Sequence, residues 1–221
     1  MIPKFAAAMF DVDGTLLSTM RYWRLTTLEY MLQKDVIPTE EELGRLFYTS
    51  GRGLLAEMIE KYELPCDWER VFHTTEGFML RHYREDAQAK RGAAAYLAEL
   101  KRRGIRMCVG TASLKEFVLE ALDRLELTAY FDFVTDNREL GLEKDDPEYF
   151  RAVAKRLDVS PAELCVFEDA SYAIRGAKAA GCPVIGILDP TQRYIWHEVE
   201  QLSDLTVRDY EELLQMTAHE S

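Results

Sequence analysis

The sequence predicts an α/β fold: a doubly wound parallel sheet with a bundle of helices inserted near its start. Three observations predict it. From Gly92 onward, short apolar runs alternate with helical stretches. A further apolar run, Phe5–Phe10, stands alone at the N-terminus. Between the two, residues 18–86 carry helical periodicity and no convincing strand.

Phe5-Ala6-Ala7-Ala8-Met9-Phe10 is uncharged and reads as a buried parallel strand. Tyr22, Leu25, Leu28 and Leu32 predict a first helix ending near Lys34-Asp35. Thr39, followed by three glutamates, caps a second. Gly51-Arg52-Gly53 is expected to break the chain before a third, Leu54–Ile59. Pro65-Cys66-Asp67 starts a fourth, running through Val71, Phe72, Met79 and Tyr83.

A helix over 93–103, closed by Gly104, leads to a strand at 105–109 and a helix over 114–125. Strands follow at 131–134, 163–167 and 183–187, with helices at 147–157 and 172–180 between them. Residues 190–202 are expected to be helical, 205–207 an edge strand and 210–216 a last helix. Repeated βα units predict right-handed crossovers in one parallel sheet. The expected division is an α/β core from 1–17 and 88–221, with a helical unit over 18–87.

With 221 residues, 48% hydrophobic and 30% charged, the chain is long enough for a domain plus a small accessory unit. No apolar run approaches the roughly 18 residues that span a membrane. The N-terminus lacks the basic start and long apolar centre of a signal peptide, so a cytoplasmic protein is expected. Cys66, Cys108, Cys165 and Cys182 form no Cys-x-x-Cys pair and fit a reduced compartment. Cys108 and Cys165 lie in strand-like runs and read as core residues. The net charge of -12 disfavours nucleic acid and anionic membranes as partners. A small anionic substrate remains compatible, given local positive charge. A monomer or weak homodimer is expected.

Four stretches carry chemistry. Asp11 and Asp13 follow the first strand, and in extended chain positions i and i+2 face one side. Crowded carboxylates repel, and a hard divalent cation, most simply Mg²⁺, relieves them; turn or helix capping is the plainer alternative. Gly110-Thr111-Ala112-Ser113 runs from a strand into a helix, where free N–H groups and a hydroxyl bind phosphate oxygens or simply cap. Lys144 lies among acids, before Pro147 and Phe150, and alone would read as a solvated surface residue. Glu168 and Asp169 end the strand over 163–167, as a metal site or as a turn and cap.

Taken together, Asp11-Val12-Asp13-Gly14-Thr15-Leu16 resembles the first motif of the haloacid dehalogenase (HAD) superfamily, Asp-x-Asp-Gly-Thr-Leu. Thr111 occupies the place of the second motif, and Lys144 with Pro147 and Phe150 that of the third. Asp145 stands where that motif commonly has proline. Glu168-Asp169, before a small-residue helix with Ala173 where glycine is common, resembles the fourth.

The resemblance implies a Rossmann-like core, a helical cap and a Mg²⁺-dependent phosphatase acting on a small phosphorylated metabolite. It implies Asp11 as nucleophile and Asp13 as general acid and base. Magnesium would be held by the Asp11 carboxylate, the Asp13 main-chain carbonyl and Asp169, with Glu168 direct or through water. Thr111 and the Ala112 N–H would hold phosphoryl oxygens, and Lys144 would neutralise charge. Arg52 would reach a substrate anion from the cap; an exposed loop arginine is its plainer reading. Tyr22, Trp23, Phe47 and Tyr48 read as cap core before a substrate platform. A β-phosphoglucomutase-like mutase is the alternative, weakened because Arg21-Tyr22-Trp23-Arg24 contains no histidine. A non-enzymatic small-molecule binding protein is the second alternative.

Overall fold

The computed structural model describes residues 2–46 and 51–219, with positions 51, 52 and 219 described by backbone alone. Six parallel strands form one sheet: β1 (Ala7–Phe10), β2 (Arg106–Thr111), β3 (Phe133–Asp136), β4 (Leu164–Glu168), β5 (Val184–Ile187) and β6 (Leu205–Val207). Their order is β3-β2-β1-β4-β5-β6. Chain order therefore reverses direction between β1 and β4. Open α/β sheets bind ligands at such a reversal, outside the carboxyl ends of the strands.

Alternation along each strand divides the interior into two layers. Ala8 and Phe10 of β1, Met107 and Val109 of β2, and Cys165 and Phe167 of β4 face one layer. Ala7 and Met9, Cys108, and Leu164 and Val166 face the other. Phe10 pairs in register with Phe167, and the two rings stack at 4.3 Å. The uninterrupted apolar reading of these runs thus follows from burial on both faces.

Helices cover both faces. They are α5 (Ala93–Arg102), α6 (Lys115–Arg124), α8 (Pro147–Arg156), α9 (Ser171–Ala180), α10 (Trp196–Leu202) and α11 (Tyr210–His219), with a single turn α7 (Asn137–Leu140) after β3. Between β1 and α5 the chain makes α1 (Met20–Gln33), α2 (Glu40–Arg45), α3 (Gly51–Lys61) and α4 (Trp68–Glu85). Tyr30, Met31, Leu46, Leu54, Leu55, Met58, Ile59 and Val71 form a separate apolar cluster in this helical segment.

Several boundaries differ from the sequence reading. Gly51 and Gly53 lie inside α3, not in a break before it; burial of Leu54, Leu55, Met58 and Ile59 outweighs the cost of two glycines in its first turn. β2 runs on through Gly110 and Thr111, and β3 starts two residues later than its apolar letters predict, at Phe133, and ends at Asp136. The residues 190–202 form a 3₁₀ turn, Pro190–Ile195, followed by α10. Its Gln192 departs from helical geometry, with φ -114° and ψ 29°. No helix among the described residues is long and apolar enough to cross a membrane. Cys108, Cys165 and Cys182 are buried free thiols, and Cys66 is exposed.

Candidate active site

β1 delivers Asp11 to the sheet's carboxyl edge, where its N–H bonds the Phe167 carbonyl at 3.0 Å and continues the β1–β4 ladder by one step. The chain then turns. Gly14 N–H donates to Leu17 O, and the N–H groups of Thr15 and Leu17 both reach Val12 O. Gly14 sits at φ +86°, and a Cβ there would lie 1.9 Å from Asp169 Oδ2. Only glycine permits both the turn and the approach of that carboxylate.

β4 supplies the opposing acids. Oxygens of Asp11, Glu168 and Asp169 lie within 4.8 Å of one another, and all three residues are buried. Lys144 Nζ enters between them, 2.5 Å from Asp11 Oδ1 and 2.9 Å from Glu168 Oε2, with only 1% of the residue exposed. Glu168 Oε1 accepts the N–H groups of Asp169 and Ala170, each at 3.1 Å. Asp169 Oδ1 accepts from Thr15 Oγ1 at 3.3 Å, and its Oδ2 accepts from Gln192 Nε2. The lysine is set by the loop before α8, whose first turn is capped by Asp146 and opened by Pro147. Gly176 of α9 lets that loop pack close: a Cβ there would meet the Lys144 carbonyl at 2.2 Å.

Asp13 has different company. Its Oδ1 accepts from Thr19 Oγ1 at 2.5 Å, its Oδ2 from Ser113 Oγ at 2.6 Å, and the Tyr83 hydroxyl lies 2.8 Å from both oxygens. Thr19 precedes α1, Tyr83 belongs to α4 and Ser113 follows β2. Thr111 is fully buried at the end of β2, and its Oγ1 accepts the Ser113 N–H at 3.0 Å. Ala112 and Ser113 line a cavity of about 500 Å³, closed on the helical side by Trp23, Glu76 and Tyr83.

Electrostatics in the cluster are unbalanced. Burial raises the Asp169 carboxyl well above its ordinary value, and Asp11, Glu168 and Asp189 push it further. Burial and the charge of Asp11 raise Glu168 to about 7, against the pull of Lys144. Burial and Asp11 also raise Asp13, while its three hydroxyl donors pull it down. Burial opposes the charge on Lys144, but Asp11 and Glu168 outweigh it and hold the ammonium well above its usual range. Three clustered carboxyls face one ammonium. A hard divalent cation bound by oxygens fits this set and would let all three ionise.

A sequence profile of the haloacid dehalogenase-like hydrolases matches residues 8–187, from the first strand through the fifth. The chain belongs to that family. It is similar to the phosphorylated carbohydrates phosphatase of Thermotoga maritima, 28% identical over 79% of this chain and 81% of the relative. It is also similar to β-phosphoglucomutase of Bacillus subtilis, 29% identical over 91% and 92% of the two chains. The structure of CbbY from Rhodobacter sphaeroides in complex with phosphate superposes with a TM-score of 0.75, at 25% identity, over 95% of this chain and 96% of that one.

In this HAD-like hydrolase the structure brings Asp11, Lys144, Glu168 and Asp169 together from three separate parts of the chain. The carboxylate of Asp13 is not in the acid cluster, because the strand ends at Phe10 and the chain turns at Val12, so the extended i, i+2 geometry does not hold. The Arg52 side chain, Phe47 and Tyr48 lie outside the described residues. Tyr22 is buried and stacks on His82 at 4.4 Å, and Trp23 faces the cavity.

Sequence reasoning missed Tyr83, Thr19, Gln192 and the buried pair Lys90–Asp189, 2.8 Å apart. Tyr83 is 70 residues from Asp13 and reads as one more apolar position of α4. Ser113 was visible as a hydroxyl beside Thr111, but not as a partner of Asp13.

Proposed function

We propose that the chain is a Mg²⁺-dependent phosphatase that hydrolyses a small phosphorylated metabolite through an aspartyl-phosphate on Asp11. As a HAD-like hydrolase with relatives named as phosphatases, it is a phosphoric monoester hydrolase. The observation that carries the finer reading is the buried Asp11 carboxylate, held by Lys144 and faced by Glu168 and Asp169 at a strand-order reversal.

In the first step an Asp11 oxygen attacks phosphorus, and the bond from phosphorus to the leaving oxygen breaks. Asp13 gives its proton to that oxygen. In the second step Asp13 takes a proton from water, the water oxygen attacks phosphorus, and the bond to Asp11 breaks to release inorganic phosphate. Thr19, Tyr83 and Ser113 aim Asp13 for both transfers. Thr111 and the Ala112 N–H bind phosphoryl oxygens. Lys144 offsets the charge of the nucleophile beside an anionic substrate.

Asp11, Asp169 and the main-chain carbonyl of Asp13 would hold magnesium, with Glu168 binding it directly or through water. Bound there, the ion supplies positive charge to phosphoryl oxygens as charge shifts in the transition state. Residues 18–87 act as a cap that closes the cavity and selects the substrate.

The mutase reading gains nothing from the described neighbours of Asp13, which are three hydroxyls and no histidine. A phosphate-release screen over sugar phosphates, nucleotides and phosphoglycolate tests the proposal. Activity should vanish with chelator and return with Mg²⁺; turnover that survives thorough chelation removes the metal from the reading. Conversion of β-glucose 1-phosphate to glucose 6-phosphate without phosphate release would establish the mutase instead.

A further inference from the structure

The turn after β5 reaches the acid cluster from a side that the four motifs do not account for. Asp189 anchors it. Its Oδ1 accepts the N–H and hydroxyl of Thr191, at 2.9 and 2.6 Å, and its Oδ2 accepts Lys90 Nζ at 2.8 Å. The Asp189 carbonyl accepts the Trp196 indole N–H at 2.8 Å and the Gln192 N–H at 3.0 Å. The preceding residue is tied to the sheet, with Leu188 N–H bonding Val207 O at 2.8 Å.

On this fixed base Gln192 breaks the 3₁₀ geometry and turns inward, with 6% of the residue exposed. Its carboxamide donates to Asp169 Oδ2, the oxygen that packs against Gly14. Thr15 donates to the other oxygen. Asp169 is therefore held on both oxygens by uncharged donors.

The choice of a neutral donor matters. Lys90, whose charge reaches Asp169 from this flank, is committed to Asp189 by a buried ion pair with side chains 5% and 4% exposed. A second free ammonium beside Asp169 would compete with an incoming cation for the same carboxylate. An amide fixes the carboxylate and leaves its charge available. Partners that orient metal-binding carboxylates commonly change affinity by 10–100-fold when removed.

We infer that Gln192 is a positioning residue that orients Asp169 for a divalent cation, with the Asp189–Lys90 pair as its anchor. The inference rests on the magnesium reading of the acid cluster.

Titration calorimetry of the substrate-free protein with Mg²⁺ tests it, comparing wild type, Gln192→Ala and Gln192→Met. The methionine variant keeps the volume and removes the donor, so it stays informative if the alanine variant fails to fold. Both should bind Mg²⁺ with a Kd raised by about 10–100-fold. The rise in melting temperature on adding Mg²⁺ should shrink in both. Wild-type affinity in a folded variant, even one with a lower melting temperature in the absence of Mg²⁺, would make Gln192 merely structural and overturn the inference while leaving the metal reading standing. Failure of the wild-type protein to bind Mg²⁺ would overturn both.

Discussion

The α/β core and the helical segment over α1–α4 bury charge in opposite ways. In the core, Lys144 is sealed against Asp11 and Glu168, and Asp169 is buried beside them with no ion-pair partner among the described residues. In the helical segment, buried Glu42 has donors on every side. It accepts the Thr39 N–H at 2.7 Å, Lys61 Nζ at 2.7 Å and the Tyr62 hydroxyl at 2.8 Å, closing a capping box. These contacts hold the Glu42 carboxyl down to about 2, although its own burial works the other way. Glu168 and Asp169 are raised and Glu42 is lowered. Glu42 has a lysine to itself, whereas three core carboxyls share one lysine and repel one another, the imbalance on which the proposed cation site rests.

Substitutions at the two places should therefore separate activity from stability. The largest effect is expected from Asp11→Asn, which removes the proposed nucleophile and one of the crowded charges. Phosphate release should fall below detection while the melting temperature holds or rises. Turnover near wild type would refute the assignment and erase the contrast.

Lys144→Met should lower both properties. It strands Asp11 and Glu168 without their ammonium, and denaturant unfolding should report a loss of about 3–5 kcal/mol, the usual cost of breaking a buried ion pair. An unchanged unfolding midpoint would mean that the pair adds nothing to the fold.

Gly14→Ala comes next. The left-handed backbone and the collision with Asp169 Oδ2 should cost about 1–3 kcal/mol. Mg²⁺ binding, followed by calorimetry, should weaken because Asp169 is displaced.

Glu42→Gln should have the smallest effect, about 1 kcal/mol for a disrupted cap, with little change in kcat. Its pH dependence has a definite sign. A carboxyl lowered on folding stabilises above its unfolded value near 4.5, and that contribution is lost as pH falls toward about 2. The difference in melting temperature between wild type and Glu42→Gln should accordingly be full at pH 7 and shrink below pH 4.5.

Much of the core is legible in the letters because a two-sided parallel sheet imposes a local rule. Each of its inner strands must be apolar on both faces, so β1, β2, β4 and β5 stand out as short runs whose interiors are uncharged. β3 is less legible, since its apolar letters begin at Phe131, two residues before its true start at Phe133. The helical segment obeys a weaker rule: Leu25 and Leu32, spaced as core residues of α1, are exposed in the structure.

Asp11, Glu168 and Asp169 were legible as acids at the ends of apolar strands, whereas Lys144, which alone reads as a solvated surface residue, stood out only through its resemblance to a family motif. Sequence alone determined those strand ends, and with them which residue types reach the sheet's carboxyl edge. Only the tertiary structure decided that Tyr83 and Ser113 hold Asp13, that Gln192 holds Asp169, and that Lys90 is spent on Asp189. The reason is physical. Hydrogen bonding across 23 to 100 residues leaves no periodicity or spacing in the chain; it exists only once the strand order has brought distant turns to one edge.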